Sequence, residues 1–194
     1  MADQKKLPET ADEFKVLLPD ISGNTVNGLN ETDIRSPSPF FWHPHDKHDF
    51  GELQTEVVNI QRRSPAIIEH YSSSAARGPK TIKKAQPIIK KIPEEWVSTI
   101  KEFALSHEGD DIRITTMDPL YVYEGYEITE PWVIIIGVTM DHVELDKVPA
   151  NLETPDSPVE VARQYNRAAR VCRELANFIL SQGYSAKPWA GPFA

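Results

Sequence analysis

The stretch that decides the fold begins with Trp-Val-Ile-Ile-Ile-Gly-Val-Thr at residues 132–139 and ends with a helical segment at residues 158–182. The first part is a short apolar run rich in β-branched residues, which predicts a strand buried on both faces of a sheet. The sequence also predicts where the helix begins and ends. At its start, Ser157 is the predicted N-cap, Pro158 occupies the first helical position and Glu160 completes a capping box. At its end, Gly183 is the predicted stop.

The connection between strand and helix, residues 140–157, is about three times as long as is usual in such units. Long loops at the carboxyl end of a sheet strand are where α/β proteins bind ligands. We therefore expect the functional site in this loop.

Composition narrows the class of protein. The chain has 194 residues, 40% of them hydrophobic, which is enough for one domain with its own core. A net charge of -8 argues against nucleic-acid binding, because neutralising phosphates needs a basic excess. No apolar run approaches the roughly 18 residues of a membrane span, and the amino terminus lacks the apolar core of a signal peptide. We expect a cytoplasmic protein without a membrane or nucleic-acid partner.

The sixteen prolines divide the chain into two parts. Residues 1–92 are interpreted as an extended, proline-rich arm with short helices at residues 10–18 and 50–62, the second of which Pro65 ends or bends. The Ser/Ala-rich and then lysine-rich segment at residues 72–91 is interpreted as a solvated linker or surface wrap. Residues 93–194 are interpreted as an α/β domain.

This second part is more regular. A proline, two acids and an amphipathic pattern predict a helix from Pro93 to about His107. Residues 111–117 alternate as a half-buried strand does, whereas residues 117–126 fit either a helix or a strand. With a short final strand near residues 184–186, the order of elements indicates a mixed α/β layered fold.

The helix at residues 158–182 has two faces at helical spacing. The first, predicted to face the core, consists of Val161, Tyr165, Ala168, Cys172, Leu175 and Ile179. Cys172, the single cysteine, is interpreted as a buried small hydrophobe; alone it excludes an internal disulfide and cannot hold an iron–sulfur cluster or a thiolate zinc site. The second face is a stripe that either faces solvent or contacts a subunit or an anionic ligand: Arg163, Arg167, Arg170 and Arg173.

Two other groups of residues carry possible chemistry. The segment at residues 42–49 holds three histidines around Pro44, but their spacing is not that of a metal site, and we interpret it as a surface loop. Asp141 and His142 leave the strand end, where either side chain could donate or accept a proton. No metal ligands are assigned.

At three places the sequence resembles the corrinoid-binding part of the cobalamin-dependent reductive dehalogenases, whose general plan the epoxyqueuosine reductases share. The matching segments are a hydrophobic strand that runs into Met140-Asp141, a helix that contains Tyr165, and a closing Leu-Ala-Asn-Phe-Ile…Gly-Tyr-Ser-Ala at residues 175–186. The resemblance covers roughly residues 117–194 and rests on a succession of short matches.

The resemblance implies a nitroreductase-like layered fold, of which residues 93–194 hold the first part. It also implies an oxidoreductase that removes halide from an organohalide or acts on another small molecule, with cobalamin bound near Met140, Asp141 and Tyr165. Electrons would come from 4Fe-4S clusters. The sequence stops before any Cys-x-x-Cys motif and before the family's catalytic tyrosine and its basic partner, so we expect a truncated chain completed by a ferredoxin-like module or a partner chain, with no catalytic residue assigned here.

Two alternatives remain open at this stage. The chain could be a non-catalytic interaction or oligomerisation domain, in which the proline-rich arm and the arginine stripe dock a partner or a second copy. It could also be a flavin enzyme on a nitroreductase-like fold.

Overall fold

A computed structural model of the chain describes residues 36–37, 55, 59, 63–72, 78–148 and 154–189. Its helices are α1 (Pro65–Ser72), α2 (Pro93–Ser106), α3 (His142–Leu145) and α4 (Asp156–Ser181), and its strands are β1 (Asp111–Thr116) and β2 (Trp132–Gly137). The two strands form a small antiparallel sheet, so the described fold is a mixture of helices and sheet. The four elements predicted at residues 93–107, 111–117, 132–139 and 158–182 are confirmed to within two residues at each end.

Several predicted elements lie wholly or largely outside the residues that the structure describes. The helix at residues 10–18 and the histidine segment at residues 42–49 lie outside the described residues, as does most of the helix at residues 50–62. Pro65 is the first residue of α1. The ambiguous segment at residues 117–126 contains one short 3-10 turn, Pro119–Tyr121.

A tight turn reverses the chain between α2 and β1. The amide of Gly109 donates to the carbonyl of Ala104 at 3.0 Å, which is the hydrogen bond that closes a helix in a Schellman motif. The residue before it, Glu108, has a φ of 72°, a conformation that normally favours glycine. The turn therefore places a charged side chain where a helix usually ends in glycine.

The core lies between the sheet and two helices. Ile112 faces Ile136 and Ile114 faces Ile134 in the antiparallel register, so these four side chains share the inner face of the sheet. A buried cluster of Ala104, Ile112, Val171 and Leu175 joins this face to α2 and α4. The ring of Phe103 also stacks on that of Phe178, with centroids 4.5 Å apart.

The outer face of the sheet is open in the described part of the chain. Val133 of β2 is half-buried, and Ile135 is 55% exposed beside Arg113 of β1. The prediction that β2 is buried on both faces is therefore wrong for the described residues. The apolar run forms a strand as predicted, but packing covers only one of its sides.

The start of α4 differs from its predicted cap. The helix begins at Asp156 after Pro155, and no side chain caps it. Ser157 lies inside the first turn, and the Glu160 carboxylate turns away towards the end of β2, so the predicted capping box is wrong. The predicted stop is confirmed, since Gly183 adopts a φ of 88° directly after the helix.

The predicted core face of α4 is only partly correct. Leu175 is buried, but Tyr165 is 38% exposed, and the other predicted members are half-buried. The buried positions instead lie on two sides of α4, with Val171 and Leu175 in the cluster against the sheet and five others on the opposite side: Ala162, Asn166, Ala169, Ala176 and Leu180. The cause is that α4 is packed from two directions, by the sheet and by α1, where the amide of Asn166 donates to the carbonyl of His70 at 2.7 Å.

Residues 78–92, here called the strap, cross the surface of α4 without regular structure. The side chain of Asn177 accepts from the amide of Ile82 and donates to the carbonyl of Lys80, as a neighbouring strand would. Farther along, the amides of Ala85 and Ile89 donate to carbonyls at the end of α4. Residues 184–189 form no strand, so the predicted final strand is wrong. The amide of Tyr184 instead donates to a carbonyl of the last turn of α4, and its hydroxyl donates to the carbonyl of Ile89 in the strap.

Among the described residues, no helix combines the length and the apolar character needed to cross a bilayer.

The two faces of the sheet make a direct stability test. Ile112 is 2% exposed in the core, so Ile112→Ala should lower the free energy of unfolding by about 2–4 kcal/mol. Ile135→Ala, on the open face of the same sheet, should cost less than about 1 kcal/mol. Urea unfolding followed by circular dichroism measures both, and equal losses would contradict the one-sided core.

A pair of glycines tests the fit of the strap against α4. A Cβ at residue 183 would lie 2.8 Å from the Cα of Ile88, whereas a Cβ at residue 125 would meet nothing within 4 Å. Both glycines have a positive φ, so both alanine variants carry the same backbone penalty of about 1–2 kcal/mol. Gly183→Ala should therefore be clearly less stable than Gly125→Ala in thermal unfolding, and equal melting temperatures would contradict the close strap contact.

Candidate functional site

The carboxyl end of β2 is held in place by an aspartate from the α2–β1 turn. One carboxylate oxygen of Asp110 accepts hydrogen bonds from both the amide and the hydroxyl of Thr139, each at 2.7 Å. The other oxygen accepts from the guanidinium of Arg167 on α4, also at 2.7 Å. Burial raises the pKa of Asp110, but these hydrogen bonds outweigh it and hold the pKa below its usual range. Asp110 thus remains ionised and links three segments.

A second carboxylate holds the next peptide. Glu160 is only 1% exposed, and it accepts from the amide of Asp141 at 2.8 Å and from the side chain of Gln164 at 2.7 Å. Arg163 donates to its other oxygen at 3.0 Å. Burial raises the pKa of Glu160, but the hydrogen bonds and the positive charge of Arg163 lower it by more. The pKa of Glu160 therefore lies below its usual range. A buried carboxylate with this many donors is a positioning group.

Between these two anchors lies the predicted Met140-Asp141 step. The Asp141 carboxylate accepts from the amide of Val143 at 2.8 Å and so caps the short helix α3. His142, the other predicted proton-transfer candidate, is exposed as the first residue of α3. Met140 has its backbone between two fixed neighbours and its side chain 40% exposed. The strand end therefore presents an apolar side chain from a rigid backbone.

The arginine stripe of α4 is largely paired within the chain. Arg170 donates from two guanidinium nitrogens to the two carboxylate oxygens of Glu108, each at 2.7 Å. These hydrogen bonds hold the pKa of Glu108 below its usual range. Arg163 and Arg167 pair with Glu160 and Asp110 as described above. Three of the four arginines thus pair within the chain, two of them with the α2–β1 turn, and are not an open anion site.

Tyr165 does not join the strand end. Tyr165 lies five positions after Glu160 in α4, and this spacing places the two side chains about 140° apart around the helix. In the described part of the chain, no hydrogen bond or ring contact links Tyr165 to Met140 or Asp141. The structure thus brings Met140 and Asp141 together with Glu160 and leaves Tyr165 on another side of α4.

Cys172 behaves as predicted for a structural thiol. It is half-buried, and its sulfur lies 3.5 Å from the carbonyl of Trp189. Burial raises the pKa of the Cys172 thiol, which disfavours the nucleophilic thiolate form. Within the described ranges, no group of three or more histidine, cysteine, aspartate or glutamate side chains is arranged to hold a metal ion.

A separate shallow hollow lies where α2 ends beside α4. His107 stacks on Phe103, with ring centroids 3.9 Å apart, and one ring nitrogen lies 2.8 Å from the carbonyl of Phe103. Phe178, Glu174 and Asn177 complete most of its lining. The hollow is open to solvent and distant in sequence from the strand end.

Sequence reasoning did not identify the roles of Asp110 and Glu160. The local sequence around Asp110 predicts only a turn, and that around Glu160 predicts only a capping box. Their partners, Thr139 and Asp141, are 29 and 19 residues away in the chain. Only the packing of α4 against the strand end brings these pairs together, so no local spacing signals them.

Comparison with known proteins adds no assignment: no protein-family model matches the chain, and neither a curated protein nor a solved structure does.

Glu160 can be tested by an isosteric change. Glu160→Gln keeps the volume but places an amide among hydrogen-bond donors and removes the charge that faces Arg163, which should cost about 1–3 kcal/mol in the free energy of unfolding at pH 6. Glu102→Gln, an exposed position on α2, is the matched control and should change stability by no more than about 0.5 kcal/mol. Urea unfolding measures both.

The same variant gives a pH signature. A carboxylate with a lowered pKa in the folded state stabilises the fold above its unfolded pKa of about 4.3, and that stabilisation is lost as pH falls through the folded pKa. The stability gap between wild type and Glu160→Gln should therefore narrow between pH 6 and pH 3. A gap that stays constant over this range would show that the carboxylate charge is not the cause.

Proposed function

We propose that this chain forms one wall of the corrinoid-binding cavity of a corrinoid-dependent reductase, within a nitroreductase-like layered fold. The observation that carries the proposal is the doubly anchored strand end. Asp110 and Glu160 fix the peptides on either side of Met140, at the position where the sequence resembles the reductive dehalogenases.

The anchored strand end suits a large rigid ligand. Binding is stronger when the protein groups are already ordered, because less conformational freedom is lost on association. Methionine is flexible and polarisable, so its thioether packs well on an irregular apolar surface such as the face of a macrocycle. Met140 and Asp141 would hold the corrinoid here, with Tyr165 contributing to packing from a neighbouring side of α4.

The open face of the sheet supports the layered fold. A two-stranded sheet is only marginally stable in water, and an apolar face such as that of Val133 and Ile135 normally packs against another layer. We propose that the rest of the layered domain covers this face. It would be supplied by a further module or by a partner chain.

The residues present fit a wall of the site rather than a whole site. Two shallow hollows among the described residues are not lined by Met140. When bound, a corrinoid supplies the cobalt redox chemistry by which two electrons and a proton replace the halogen of an organohalide with hydrogen and release halide. With one cysteine in the chain, 4Fe-4S clusters would have to be held by a ferredoxin-like module or partner.

A second candidate is the interaction or oligomerisation domain. One of its two bases, the arginine stripe, is weakened because three of those arginines pair within the chain. What favours it instead is the set of apolar side chains exposed on the strap, where Ile82, Ile88, Ile89 and Ile92 all reach solvent.

Hydroxocobalamin binding tests the main proposal. The purified chain should retain hydroxocobalamin in equilibrium dialysis, with corrin absorbance as the readout and an affinity in the micromolar range. Met140→Ala should weaken binding about fivefold, since burying that side chain against the ligand contributes on the order of 1 kcal/mol. Leu105→Ala, an exposed leucine on α2, is the control and should bind like wild type.

Two results would oppose this assignment. Absence of retained hydroxocobalamin at a concentration of about 1 mM would exclude an affinity of biological use. Retention of flavin mononucleotide in a parallel dialysis, without retention of hydroxocobalamin, would favour the flavin alternative instead.

A further inference from the structure

The strap is a strongly basic surface on an acidic protein. Residues 78–92 contain five lysines and no acidic residue, although the whole chain has a net charge of -8. Lys83, Lys84 and Lys90 are exposed, and they lie next to exposed isoleucines of the same segment. Such a surface combines apolar contact area with a single sign of charge.

An acidic surface of similar character follows β1. Residues 117–131, here called the acidic loop, contain four acidic residues and no lysine or arginine. Leu120 and Tyr121 are exposed there, and Glu127 is exposed beyond them. The acidic loop therefore matches the strap in apolar content and opposes it in charge.

Both surfaces lie at the same end of the α2–β1 pair. The strap runs into the start of α2, and the acidic loop leaves the end of β1. A short turn reverses the chain between the two elements, which pack together and have similar lengths of about 21 Å for α2 and about 20 Å for β1. The start of the helix and the end of the strand are thus brought to one end.

From this juxtaposition we propose that the chain pairs with a second copy of itself, the strap of each protomer lying against the acidic loop of the other. A two-fold axis produces such a reciprocal interface, because the strap–loop contact occurs twice, once with the strap of each protomer. The two contacts pair unlike charges locally, which offsets the repulsion expected between two acidic chains.

The size of the two surfaces suits a specific dimer. Residues 80–92 and 118–130 together supply 26 residues from each protomer. Standard protein–protein interfaces use about 20–30 residues a side. The strap is also pre-ordered by Asn177 and the end of α4, so its ordering adds little cost on association.

A charge-swap experiment tests this pairing without any other partner. One full-length variant carries Lys83→Glu, Lys84→Glu and Lys90→Glu, which makes both of its surfaces acidic. The other carries Glu124→Lys, Glu127→Lys and Glu130→Lys, which makes both of its surfaces basic. Each variant should be monomeric alone, and an equimolar mixture should form a heterodimer, because every strap then faces a loop of opposite charge.

Light scattering after size exclusion reports the result. Wild type should give twice the monomer mass of 21.9 kDa at about 100 μM, and its dissociation constant should rise at least about tenfold between 50 mM and 500 mM salt, as screening predicts. Lys101→Glu and Glu102→Lys on α2 are matched controls and should dimerise like wild type. Circular dichroism checks that each variant is folded.

Every other pattern overturns the proposal. A monomeric wild type at low salt would show that the two surfaces do not pair between copies. Charge-swap variants that dimerise alone as well as wild type would place the interface elsewhere. A mixture that stays monomeric while both variants are folded would exclude contact between strap and loop, and open-ended oligomers would exclude the reciprocal arrangement.

Discussion

The described structure depends on the burial of one sheet face against α4. Two strands alone are marginal in water, so β1 and β2 persist because Ile112 and its neighbours pack on Val171 and Leu175. Four other segments are also positioned by the same helix. The α2–β1 turn, the end of β2 and the strap each reach it through hydrogen bonds, and α1 packs on its remaining side.

Local patterns were sufficient to predict the four longest elements of residues 93–182 but not their surroundings. The β-branched run at residues 132–139 and the periodic segment at residues 158–182 form the expected strand and helix, because propensity and periodicity act over a few residues. Which sides are buried is decided by partners far away in the chain. α4 is buried on two sides because α1 contributes a second contact surface, and one face of β2 is open because no described segment covers it.

In the candidate site, too, local sequence predicted the positions of some residues but not the long-range contacts that they make. Met140 and Asp141 were identified from their position at a strand end, and both lie there in the structure. The carboxylate of Asp141 also caps α3, a structural role that its position in the sequence did not indicate. Asp110 and Glu160, which hold this strand end, act across long sequence separations and could be recognised only from the fold. Tyr165 was placed by resemblance alone, and its helical phase separates it from the other two.

The open side of β2 also has a consequence for the behaviour of the free chain. Residues 132–138 form a seven-residue segment with high β-propensity, no charge and no proline, which is the composition of segments that stack into cross-β fibrils. In the described part of the chain each strand is paired along one edge only, and an unpaired edge is a template for further strands. A layer placed over this sheet would therefore protect the chain from aggregation as well as bury its apolar side chains.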